Sequence, residues 1–174
     1  MRYIKLLVLL LAITACGEGL DPDITYPYPE EGVERQFFLN AQLSPAQPSR
    51  GEYINWNKGD KTIFRYVYAH PDEPNIADDE LTEVFWIELD PEFDEFSFNL
   101  GTETQSSPLG MEFYYTRVCF CNSPAFEFTN LQVSGRKLSE TEWTVNFNMT
   151  ATANGQEFSM VDNGTYTLGT FDWD

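Results

Sequence analysis

The feature that most constrains this chain is a strict alternation of apolar and polar residues. Trp143, Val145, Phe147 and Met149 are separated by Thr144, Asn146 and Asn148. Successive side chains of a strand point to opposite faces, so such a run buries its apolar set only as a half-buried β-strand. The same period recurs. Phe64, Tyr66 and Tyr68 alternate with Ile63, Arg65 and Val67, and Phe85, Ile87 and Leu89 alternate with Val84, Trp86 and Glu88. Phe96, Phe98 and Leu100 form another set, and residues 35–43, 111–120, 126–133, 156–161 and 165–173 are further strand candidates. No long stretch carries a helical period; the best, 76–83, is short.

Turn chemistry sits between these runs. Asn-Gly readily takes the positive φ angles that a two-residue hairpin requires. Asn154-Gly155 and Asn163-Gly164 therefore divide 143–152, 156–161 and 165–173 into a C-terminal three-strand meander. Asn57-Lys58-Gly59-Asp60 and Ser134-Gly135-Arg136-Lys137 mark earlier turns. Short strands punctuated this way predict an all-β domain of roughly nine strands, a single antiparallel β-sandwich or squat β-barrel. Neither an internal repeat nor a second domain is visible.

Acidity bounds the partners. The chain has 28 acidic and 10 basic residues, a net charge of −18. Such a surface repels nucleic acid, whose binders carry basic footprints. Acidic chains poor in hydrophobics stay disordered, but this one holds 14 Phe, 9 Tyr and 4 Trp. Aromatics bury about 150–250 Å² each, enough to build a core.

The N-terminus supplies an address. Arg2 and Lys5 precede an apolar run, Leu6 to Ala12, too short for the ~20 residues of a stable membrane span. Ile13-Thr14-Ala15-Cys16 follows. An aliphatic residue, two small ones and a cysteine resemble the lipobox of bacterial lipoproteins. That resemblance implies removal of residues 1–15 and lipidation of Cys16 with palmitate-type chains, giving a protein lipid-anchored to the outer membrane, periplasmic or surface-exposed. Losing Arg2 and Lys5 would take the charge from −18 to −20. Residues 16–32 hold three Pro, three Gly and five acids, the composition of an extended tether. The β-domain is then 33–174.

Familiar chemistries find little support. His70 is the only histidine, it precedes Pro71, and no Gly-x-Ser-x-Gly elbow accompanies it. No catalytic residue, metal site or cofactor is assigned. Cys119-Phe120-Cys121 is the most distinctive motif of the mature chain. Cα atoms two apart on a straight strand lie at or beyond the upper limit for a disulfide, so a Cys119–Cys121 bridge needs a bend there. Asn122-Ser123-Pro124 could supply one; a bridge and two free thiols fit equally. Asp90, Glu92 and Asp94 have calcium-loop spacing, but Glu95 stands where glycine is needed.

Three functions follow: a non-enzymatic module binding a protein or glycan at the envelope, a structural subunit of an envelope assembly, and a carboxylate-based hydrolase. Trp56, Trp86, Trp143 and Trp173 invite a sugar-stacking reading, but most of them read as core, since Trp143 heads the inward stripe and Trp86 lies in a run apolar on both faces. Tyr66 and Tyr68, or Tyr114 and Tyr115, are the candidates for outward stacking positions.

Overall fold

In the computed structural model the described residues are 30–45, 54–71, 81–101, 110–118 and 125–170. They form a 3-10 turn, Glu30–Gly32, and eight strands: β1 (Val33–Pro45), β2 (Ile54–Ala69), β3 (Thr82–Leu89), β4 (Glu95–Asn99), β5 (Glu112–Val118), β6 (Glu127–Ser139), β7 (Glu142–Ala153) and β8 (Gln156–Leu168). All eight belong to one sheet, ordered β4-β6-β7-β8-β1-β2-β3-β5. The all-β, sandwich-like fold is as expected; strand bounds and one strand pairing differ.

Among the described residues eight strands stand against the roughly nine expected, and some run longer, because two turn-like tetrapeptides lie inside strands. Asn57-Lys58-Gly59-Asp60 is a bulge in β2, where Ala41 faces both Lys58 and Lys61. Gly135 sits within β6 opposite Phe96, and a Cβ there would lie 2.3 Å from the Phe96 ring. The two Asn-Gly dipeptides part company. Asn154 (φ 52°) and Gly155 (φ 80°) turn β7 into β8 with the positive angles of a primed hairpin turn. Asn163-Gly164 stays extended inside β8, and a Cβ on Gly164 would lie 2.2 Å from Arg35 Nε. The C-terminal meander is real, but it consists of β6, β7 and β8.

The sheet is also not wholly antiparallel. β1 and β8 run parallel, joined by only two register pairs, Gln36↔Thr167 and Phe37↔Leu168. Nor does it close into a barrel. It doubles over, which ring contacts between strands far apart in the order reveal. Phe64 of β2 lies 5.1 Å from Trp143 of β7, and Tyr66 lies 5.2 Å from Phe147. Phe85 of β3 reaches Phe147 at 4.7 Å. At the two ends of the order, Phe98 of β4 meets Phe113 of β5 at 4.7 Å, while those edges share no ladder. The result is a sandwich-like pair of four-strand halves enclosing one aromatic core. Each well-packed ring pair adds about 0.5–1.5 kcal/mol beyond its buried area.

A second apolar cluster lies on the outward side of β1, β2 and β3. On a straight strand Trp56 would stand ~30 Å from Arg65, nine residues on. Its ring is instead 5.5 Å from the Arg65 guanidinium, and 5.0 Å from both Phe38 and Trp86. The far end of the β1–β2 hairpin therefore folds back over the sheet's outer face. The bend is placed at the bulge, beside Asn40 in the left-handed region (φ 56°). Leu43 N–H fastens the arm by donating 2.5 Å to Glu88 of β3.

Candidate functional site

Alternation that sends Trp143, Val145, Phe147 and Met149 inward sends their neighbours outward, and here those neighbours make a surface. Register places Ser97, Ser134, Asn146 and Asn163 in one row across β4, β6, β7 and β8. Asn99, Gln132, Asn148 and Val161 form the next row. Together they line a shallow trough of about 400 Å³ on the outer face, with the buried residues of the intervening row, Phe98, Val133, Phe147 and Asp162, beneath them. Asn148, Asn163, Gln132 and Ser97 are exposed, and Ser134, Asn146, Asn99 and Val161 half-exposed. The polar carpet continues through Asn130, Thr150 and Ser159, with Asn130 donating 3.3 Å to Asn148. Neither lining row carries an outward charge. The next outward charges stand at its margins, Glu95 and Arg136 on one side, Glu127 and Glu157 on the other. On a chain of net charge −18 this is an unusual patch.

Among the described residues three acids are buried instead, each already engaged. Asp162 accepts from Arg35 Nε at 3.0 Å and Arg35 NH2 at 2.7 Å, and from the Tyr166 hydroxyl at 3.2 Å. Arg35 also bonds Glu30 at 2.6 Å, so the last residues of the stretch read as tether are fastened to the domain. The bond to Glu30 chiefly raises the Arg35 pKa, burial opposes it and Asp162 adds to it. Burial first, then the Asp162 charge, pushes Tyr66 and Tyr166 well above the usual phenol range. This ion pair reinforces the β1–β8 junction where the backbone supplies only two pairs.

Glu83, 1% exposed, is the second. His70 Nε2 approaches it at 3.0 Å, Arg117 Nε lies 3.3 Å away, and the Tyr115 hydroxyl donates to it. His70 is thus engaged at the end of β2, with its ring 4.6 Å from Tyr68. Partners on both oxygens leave this carboxylate no face for a substrate. The third is Glu88, under the arm. Burial raises its pKa, the Leu43 N–H opposes that, and Glu112 beside it raises it further.

The aromatic candidates are mostly core, as the inward stripe implies. Trp86, Trp143, Tyr66, Tyr68 and Tyr115 are buried, while Trp56 and Tyr114 pack on the second cluster. Of these, only Trp56 and Tyr114 keep partial exposure. Asp90 pairs with Lys61, and Asp94 lies by Lys137 at 3.8 Å. Among the described residues no group of three or more His, Cys, Asp or Glu is arranged to hold a metal. Cys16, Cys119, Cys121 and Trp173 lie outside the described residues. A second depression, about 560 Å³, opens between β4 and β5, lined by Phe98, Leu100, Met111, Phe113, Phe128 and Leu131 with Glu127.

Sequence reasoning passed over the trough because it looked to the inward stripe. The signal was present in Thr144, Asn146 and Asn148, outward positions filled by neutral residues in a very acidic chain. Register across four strands is what assembles them into one surface. Compared with protein-family models, curated proteins and solved structures, the chain matches none.

Proposed function

We propose that this protein is an outer-membrane lipoprotein, anchored through Cys16, whose β-domain captures a ligand at the cell envelope without transforming it. The uncharged trough across β4, β6, β7 and β8 carries this reading. A surface that is open and rich in hydrogen-bonding groups suits binding, whereas catalysis needs a group poised to react. The three buried acids contribute to folding, since each is bonded within the protein. The lipobox-like Ile13-Thr14-Ala15-Cys16 and the acidic tether supply attachment, because a surface this negative gains nothing from anionic headgroups.

Two measurements test it. Cells fed a labelled fatty acid should incorporate label into the wild type and hold it in the membrane fraction, while Cys16→Ser should do neither; equal labelling ends the anchoring claim. The detergent-solubilised, lipidated protein should be retained on immobilised cell-envelope material, and an N146A/N163A variant should pass through. Equal retention of the two would remove the trough from the function.

A further inference from the structure

We infer that the trough takes an uncharged glycan, lying across the strands and held by amide and hydroxyl hydrogen bonds. This rests on the capture reading above and narrows its ligand to one chemical class. Charge supplies the first argument. A chain at −18 repels polyanions within the reach of its field, and the lining rows offer no outward cation to offset that. A cationic ligand would seek carboxylates, and the two lining rows offer none outward. Neutral ligands remain.

Surface chemistry supplies the second. Specific protein interfaces centre on a desolvated apolar or aromatic anchor, enriched in Trp, Tyr and Arg. Neither row has any of these facing out. Each amide offers both a donor and acceptors, and each hydroxyl does the same. That pairing matches the hydroxyls of a saccharide, which also both donate and accept. Spacing supplies the third. Neighbouring strands lie ~4.8 Å apart, so the row Gln132, Asn148, Val161 and the row Ser134, Asn146, Asn163 repeat on the scale of a pyranose unit. Half-exposed Val161 gives the one apolar spot in its row, suited to the C–H face of a ring. A chain laid along a row would meet a polar group at nearly every strand.

The test uses the full lipidated protein in detergent micelles, titrated with soluble neutral glucan, mannan, galactan and xylan, and with alginate and polygalacturonate as acidic comparators. Binding to at least one neutral polymer is expected, unchanged from low to high salt, with none to the acidic pair. N146A/N163A should weaken it by about tenfold, with its unfolding midpoint unchanged; Val161→Thr serves as a second variant should the first fold poorly. Failure of all four neutral polymers to bind, preference for an acidic one, or equal binding by folded variants overturns the inference. Should the trough variant lose envelope retention while neutral polymers neither bind nor compete, the ligand class is wrong and the capture reading survives. Retention that ignores the trough variant sinks both.

Discussion

Outward from β1, β2 and β3 point Phe38, Ile63, Val84 and Trp86, while the two central outward rows of β4, β6, β7 and β8 carry Ser, Asn and Gln with a single Val, and charges only at their margins. The first face is covered by the chain's own arm, with Trp56 laid over Phe38 and Trp86. The second is left open. Both halves share one inner core, so the difference does not arise from the interior. An apolar outer face must be covered or it becomes a sticky patch. A neutral polar face can stay in water indefinitely and still exchange its hydrogen bonds for a ligand's. Cover on one side and exposure on the other separate stability from binding within a single sheet.

Substitutions can break or sharpen that contrast. The largest effect is expected in the shared interior. Phe147→Ala removes the ring against Tyr66 and Phe85 of the opposite half and should cost about 3–5 kcal/mol in urea unfolding. A loss below about 1 kcal/mol would mean the halves do not depend on each other. Next comes the cover. Trp56→Ala should cost about 2–4 kcal/mol, less than a fully buried ring, and should raise binding of a hydrophobic dye while the β-sheet circular dichroism persists. Unchanged dye binding would show that the arm shields nothing.

Glu88→Gln probes the fastening of that arm. Burial raises the Glu88 pKa in the fold, so its protonated form is the one the fold prefers. Stability tied to it is complete below the ordinary carboxylate range and is lost as pH rises through the elevated value. The amide still accepts from Leu43 N–H without ionising. The variant should therefore melt higher than wild type once pH exceeds the elevated value, and show a flatter melting profile as pH rises from the ordinary carboxylate range. Identical profiles would relocate the pH dependence to another group. Smallest is the open face: Gln132→Ala or Asn146→Ala should shift stability by no more than about 0.5 kcal/mol, read by thermal melting. A large loss there would show the trough to be structural.

Much of the fold is legible in the alternation. The inward set Trp143, Val145, Phe147 and Met149 is buried, as are Phe64, Tyr66 and Tyr68, because period two and a single core leave those side chains one place to go. Strand ends are less legible. Gly135 and Gly164 look like turn glycines, yet each makes room inside a strand, one for the Phe96 ring and one for the Arg35 side chain. Close approach and a turn both call for glycine, and only the partner's position tells them apart. Tyr66, Tyr68 and Tyr115 fail as a sugar platform because they belong to the inward set that the single core claims.

By itself the sequence determined that this chain forms β-strands around an aromatic core, since hydrophobic period and aromatic content are properties of the residues. It also determined the strong negative charge and placed the lipobox-like residues at 13–16. Tertiary structure alone decided that β1 and β8 lie parallel, that Arg35 meets Asp162 across 127 residues, and that the β1–β2 arm folds onto its own sheet. Contacts between residues distant in sequence depend on strand order and register, which no local pattern encodes. The trough belongs to that second group: its amides are plain in the sequence, and only pairing of four strands brings them side by side.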